Sequence, residues 1–519
     1  MKTTLSLLIG ILLAPMAMAQ VEFGERYEEE HDWTNNDYLV ISNEKEGVML
    51  VTADYDDGPK KYPLIFKQLN SSLEKVWEDT VEIKRTFYLK GYYYGQQKNY
   101  LMLQNNNQDI IKVLRIDSKT REITEFESKE IAELSITEFE VVNNTAVIGG
   151  YFEDRPVVFA YDLEQDKVRT LQNVYQNQSK LVEVRVNKDS VTFNVLATVL
   201  DENKERTILV NTYDYGGNPV RDYTLEVEPD YELVNGVSSS INDISQVVVG
   251  LYGYKTEYTV SGIYVNYVDR TGKQTMNYYN FGLLPRFLNY MGEKRAGKQK
   301  TKARNMAKAG KEHRYKTEII TRELIEEGDR LIFAGEYFKL FTQNNQLNAN
   351  RLRRINSINT INGFNDRPML LNDMLPGIRD SDFTHAYALV LNQQGEVVWD
   401  DYMDIDLDIM GGANELGRFQ WLGDKAAYMY YHDMELHLQV LDGTDETEKL
   451  TTNLKLMEEG DEIKQEKDDT LGSVRWYGNH FLVYGVHHIK PEDKSESIRK
   501  VFFINKVSVS NSPTASKLD

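Results

Sequence analysis

The feature that most constrains this chain is a recurrence. The stretch Ala146 to Leu171, AVIGGYFEDRPVVFAYDLEQDKVRTL, sets the unit: an apolar strand containing glycine, a polar turn, a second β-rich strand, an Asp-led turn and a third strand. Asn and Asp serve such turns because their side chains bond their own backbone and tolerate unusual φ. The same landmark, a strand ending on Asn or Asp, falls at Asn70, Asp117, Asp162, Asp214, Asp269, Asn392, Asp442 and Asn505. Apart from one long gap between Asp269 and Asn392, the spacing stays close to fifty residues.

Each landmark has an apolar strand upstream, from GVMLVTA at Gly47 to HFLVYGV at His480. These strands are rich in Val, Ile, Tyr and Phe, which fit a pleated, half-buried surface. Eight copies of about fifty residues, each with room for four short strands, predict an all-β fold: a single eight-bladed β-propeller, with seven blades as the alternative count. A chain of 519 residues would otherwise demand several separate cores. The final copy is short, since only SVSNSPTASKLD follows KVFFINKV. Val21 to Glu28 is therefore expected to supply the missing outer strand and close the ring.

Two copies share more than a pattern. LNSSLEKVWEDT at Leu69 and LNQQGEVVWDDY at Leu391 agree at Asn70 and Asn392, Glu74 and Glu396, Val76 and Val398, Trp77 and Trp399, and Asp79 and Asp401. This turn followed by valine and tryptophan resembles the turn-then-V-x-W pattern of quinoprotein-type propeller repeats. The resemblance implies the architecture, not a cofactor. Both tryptophans are expected to pack between blades.

The first nineteen residues read as an export signal: Lys2, an apolar run from Leu5 to Leu13, and Ala17-Met18-Ala19 as a cleavage site. The mature propeller is then 20–519. The chain has no cysteine, so disulfides, thiolate metal sites and a lipoprotein anchor are all excluded. These features predict an exported protein, periplasmic or extracellular in a Gram-negative bacterium, and not a lipoprotein.

The net charge is -21, and nucleic acid is not an expected partner. One segment opposes that charge. Two insertions interrupt the repeat, at 282–316 and 343–382, and the first holds eleven Lys or Arg between Arg286 and Lys316 against only Glu293 and Glu312. Pro285 is read as a first helical residue, with Leu284, Phe287, Leu288 and Met291 forming an apolar helical stripe. The second insertion is rich in Asn and carries Arg351, Arg353 and Arg354. Strand parity places both insertions on one face, because a connection between blades and a loop between second and third strands leave by the same end.

The expected partner-binding residues are Phe287, Leu288, Met291, Lys294, Arg295, Lys298, Lys300, Lys302, Arg304, Lys308, Lys311 and Arg314, together with Arg351, Arg353 and Arg354. The partner they imply is an acidic protein or envelope complex, with an anionic polymer or membrane surface as further options. No nucleophile elbow, phosphate-cradling loop or zinc-helix motif occurs, so no catalytic residue and no cofactor is expected. His432 and His437 lie on opposite faces of a strand. Asp404, Asp406, Asp408 and Glu415 follow calcium-loop spacing but have Ile409 where glycine is required, so no metal is expected. The leading expectation is a non-enzymatic docking scaffold in the cell envelope. The alternative is a carbohydrate-binding or glycan-cleaving propeller.

Overall fold

The computed structural model describes residues 20–31, 36–54, 60–131, 133–175, 178–187, 190–200, 206–241, 245–254, 260–315, 318–342, 378–410, 416–444, 449–466, 470–493 and 495–510. Eight antiparallel sheets follow one another along the chain and form the blades of one propeller. Blade one runs from Asn36 to Lys84, blade two from Phe87 to Ser128 and blade three from Ser135 to Thr170. Blades four and five span Lys180 to Thr224 and Tyr231 to Asn280. Blade six covers Glu318 to Met410, blade seven Gly417 to Asn453, and blade eight begins at Glu462.

The core lies between blades rather than within any one of them. Val40, Leu50 and Leu69 of blade one pack on Trp476, Leu482 and Phe502 of blade eight. Equivalent apolar clusters join each blade to the next around the ring, as Phe66 and Leu101 do for blades one and two and Phe338 and Tyr428 for blades six and seven. Burial of each such side chain contributes about 1.5–3 kcal/mol, and only neighbouring wedges bury both faces of a sheet.

The outermost strand of blade eight comes from the other end of the chain. Gln20–Glu30 pairs with Arg499–Ser510, from Gln20 opposite Ser510 to Glu30 opposite Val501, with a bulge between Phe23 and Arg26. This is the closure expected from the short last copy. Arg26 from this strand is buried: its Nε meets Glu28 at 2.6 Å, it donates to Asn505 Oδ1, and its guanidinium lies 4.4 Å from the centre of the Phe503 ring.

Seven of the eight Asn/Asp landmarks are turns between third and fourth strands. Asn70 Oδ1 accepts from the N–H groups of Ser72 and Glu74, and Asn392 Oδ1 accepts from those of Gln394 and Glu396. Asp117, Asp162, Asp214, Asp269 and Asp442 cap their turns in the same way. Asn505 does not. It lies inside the strand Arg499–Ser510, where its amide donates to Lys455 O, because the fourth strand of blade eight arrives from the N-terminus and needs no turn. Trp77 and Trp399 pack between blades as expected, and Trp399 stacks on Trp421 at 6.2 Å.

Blade six is taller than the rest. Its second and third strands have 13 and 15 residues, against 8 and 8 in blade three. Five or more extra residues at roughly 3.3 Å each raise its edge by about 15–20 Å. The third strand already starts at Ile378, opposite Thr342, so 378–382 is strand and not loop. Arg351, Arg353 and Arg354 lie outside the described residues. The first insertion, between blade five and blade six, leaves the ring by the same face as the strand ends at Thr342 and Ile378, and residues 343–377 lie outside the described residues.

Candidate functional sites on the two faces

The first insertion is the only α-helix among the described residues, and it differs from its expected form. Residues 281–292 make a series of turns, and the helix α1 spans the basic segment Glu293–Lys308 instead. Two features account for this. Gly292 adopts φ +76, which ends the preceding turns, and Lys, Arg, Gln, Ala and Met favour helix beyond it. The turns are held down by packing. Phe287 stacks on Phe281 at 4.0 Å and meets Tyr337 and Tyr387 edge-on, Leu284 and Leu288 are buried, and Met291 packs against the same cluster. Phe287 and Leu288 therefore belong to the propeller's own core and are not on its surface.

Polar bonds fix the insertion at both ends. Asp400 Oδ2 accepts from Arg286 N at 2.8 Å and from Tyr387 Oη at 3.0 Å. Asp401 accepts from the N–H groups of Asp442 and Gly443 at 3.1 Å and lies 3.7 Å from the Arg286 guanidinium. Burial raises both carboxyls, and that of Asp401 reaches about 6. At the far end Tyr252 Oη donates to both oxygens of Glu312, and Arg314 covers the Tyr254 ring at 4.4 Å. Lys300 turns inward and donates to Pro285 O and Asn289 Oδ1.

Only Ala296 and Ala303 of α1 are buried. Lys294, Arg295, Lys298, Lys302, Arg304 and Lys308 are exposed, as is Lys311 just beyond, and none of them makes an ion pair among the described residues. Lys294, Lys298 and Lys302 repeat at four-residue steps, as do Lys300, Arg304 and Lys308. Like charges at that spacing destabilise a helix by about 0.2–0.5 kcal/mol per pair. Lys294 and Arg295 also sit at the N-terminus, the wrong end for cations. Tertiary anchors, not local electrostatics, hold α1 in place.

The opposite face holds a feature that the sequence did not reveal. A cavity of about 1550 Å³ opens at the centre of the ring. It is bordered by the turns between first and second strands: Glu44 to Glu46 in blade one, Gln96 and Gln97 in blade two, Leu422 and Gly423 in blade seven, and Tyr477 to Asn479 in blade eight. Its wall is built by a repeated irregularity. The first strands of blades two, three, four and six each carry a bulge, just before Gly91, Glu138, Glu183 and Glu323. A bulge re-aims the residues that follow it. Two positions further on, Tyr93, Glu140, Arg185 and Ile325 all line the cavity.

Much of the wall's charge is used internally. The Arg185 guanidinium pairs with Glu326 at 2.5 Å and donates to Leu324 O. The same Glu326 oxygen accepts from Ser240 N and Oγ at 2.8 and 2.9 Å. Glu183 is buried, and its Oε2 accepts from Ser238 N at 2.8 Å and Oγ at 2.7 Å. Burial pushes this carboxyl above the usual range, and the neighbouring Glu326 adds to the shift, against Arg185 and the two Ser238 bonds. Charged residues at alternate positions in short inner strands, as in EFE at Glu138 and EVR at Glu183, were the available signal. Without coordinates they read as the wet face of an ordinary strand.

Asp404, Asp406 and Asp408 are exposed on the outer strand of blade six, Glu415 lies outside the described residues, and no group of ligands is placed for a metal ion among the described residues. His437 stacks on Tyr430 at 4.5 Å, within the hairpin that also holds His432.

The architecture and the two sites define the chain as an eight-bladed β-propeller. No protein-family model and no curated sequence matches it. Among solved structures, the polysaccharide lyase Uly1 is similar at 7% identity and TM-score 0.39, over 81% of this chain and 90% of the lyase. The β-propeller domain of the Trilobed protease from Pyrococcus furiosus is similar at 9% and 0.36, over 80% and 98%. A prolyl endopeptidase is similar at 12% and 0.40, over 87% of this chain and 54% of that one.

Proposed function

We propose that this protein is an exported, non-enzymatic docking scaffold of the bacterial cell envelope that binds an acidic partner protein through the face carrying α1. The observation that carries this reading is the set of exposed cations on α1 that make no ion pair among the described residues, on a chain whose net charge is -21. A basic arm attracted to its own body would pair with that body's carboxylates, and these side chains do not. The arrangement also works against helix stability, and departures from local rules concentrate where function requires them. The apolar residues beside the basic run are buried, so the helix has no free apolar stripe with which to enter a bilayer.

The test is affinity capture from isolated envelopes with the intact chain and with a Lys294→Gln/Lys298→Gln/Lys302→Gln variant. Wild type should retain a partner that salt releases and the variant does not hold, since contacts of this kind are screened beyond about 8 Å at physiological ionic strength. Identical partners from both proteins would overturn the proposal. Removing the whole insertion is the wrong test, because Phe287 and Leu288 would leave the core with it.

A further inference from the structure

The central cavity is separate from α1 by position and by chemistry, and its role is independent of the docking proposal. At about 1550 Å³ it exceeds the roughly 300–1,000 Å³ of a pocket for one drug-sized ligand, so it suits an oligomer. One register position of the ring presents Tyr93, Glu140, Arg185 and Ile325 on the same bulged backbone. A repeated scaffold with differing side chains at its inward position is the arrangement that selects a ligand, whereas a purely structural wall would repeat the side chain as well.

Three kinds of group converge there. Half-buried aromatic rings, Tyr93, Tyr94, Trp421 and Tyr477, form part of the lining and offer flat apolar faces beside polar edges. Amides of Gln96 and Gln97 supply both donors and acceptors. Glu183 is the third element. Only its Oε2 is engaged, by Ser238, while Oε1 has no hydrogen-bond partner among the described residues. Oε1 is not among the buried polar atoms that lack a partner, so it faces the solvent of the cavity, where a ligand group can take the place of water. Burial favours its protonated form, in which it offers a hydroxyl as well as an acceptor.

Charge narrows the ligand class. Apart from Glu183 and the Arg185–Glu326 pair, the lining holds four glutamates against Lys45 and Arg475. Acidic polymers are repelled by such a wall. Rings to stack, hydroxyls to bond and no anionic group are the properties of an uncharged sugar chain.

We infer that the central cavity is a binding site for an uncharged oligosaccharide, with Tyr93 and Trp421 as stacking surfaces and Glu183 as a hydrogen-bonding group on the wall. The test is calorimetric titration with cellohexaose, maltohexaose and N-acetylchitohexaose, with hexagalacturonate as the acidic comparison. At least one neutral hexamer should bind, and Trp421→Ala should weaken it tenfold or more. Trp421 also packs on Trp399, so Tyr93→Ala serves as a second variant, with the thermal melt of each showing that it folds. Wild-type affinity should fall as pH rises through the titration of Glu183, and Glu183→Gln, which keeps a donor at every pH, should abolish that dependence. The Lys294→Gln/Lys298→Gln/Lys302→Gln variant should bind as wild type does. Silence of all three neutral sugars at about 10 mM, where even millimolar binding registers, would overturn the inference. So would tighter binding of hexagalacturonate, or unchanged affinity in both aromatic variants. An unchanged pH dependence in Glu183→Gln would remove that residue from the site.

Discussion

Cations in this molecule have two different fates. Arg26 and Arg185 lie in the body of the propeller, each against a carboxylate and further hydrogen-bonding partners. Lys294, Lys298 and Lys302 lie on α1 without an ion pair among the described residues. The first group is part of what holds the blades together. The second makes no ion pair that steadies its own helix and is available to something outside it. If this contrast is right, removing a buried cation should damage stability and removing an α1 cation should damage binding alone.

The largest effect should come from Arg26→Ala. It strips the closing strand of its bonds to Glu28 and Asn505 and its contact with Phe503. Removing one member of a buried ion pair costs about 3–5 kcal/mol, and the lower end applies because Arg499 still reaches Glu28 at 3.2 Å. Equilibrium denaturation measures this. A loss under about 1 kcal/mol would show that the strand closes the ring through its backbone alone.

An intermediate effect concerns the carboxyl that holds the insertion. Burial raises Asp401 from 3.8 to about 6, so between those values the folded state binds more protons than the unfolded chain. Its contribution is therefore fully present below about pH 4 and is lost as pH rises through 6. A displacement of that size corresponds to about 1–3 kcal/mol. Asp401→Asn should lack this component, so the difference in unfolding free energy between variant and wild type should change across pH 4 to 6 and level off above it. A constant difference across that window would mean that Asp401 titrates normally.

The smallest effect is the sharpest test of the contrast. The triple glutamine variant of α1 should change stability by no more than about 0.5 kcal/mol, with a slight gain from relief of like-charge pairs. Clear destabilisation would show that these lysines serve the fold.

How far the sequence could be read depended on whether a signal was local. Asn and Asp turns depend on a few residues, and seven landmarks placed their turns correctly. Asn505 failed because its meaning depended on a strand almost five hundred positions away. The apolar stripe of the first insertion was real, but tertiary contacts with Phe281 and Tyr337 bent it into turns and left the helix to the segment after Gly292. The strand start at Ile378, IRDSD, has no apolar alternation to announce it. The cavity wall was hardest to find. Its residues are spread around the ring, and only closure brings Tyr93, Glu140, Arg185 and Ile325 around one space.

The pairing of Gln20 with Ser510 also imposes an order of events. Whichever machinery delivers the polypeptide, the segment that finishes the circle emerges ahead of every blade and its mate after all the other blade strands. The leading segment must wait with its edge unpaired, exposed to wrong partners, until the eighth blade has been made. Any product cut short upstream of Arg499 can never latch. The circle thus closes only in molecules that carry the whole of the eighth blade.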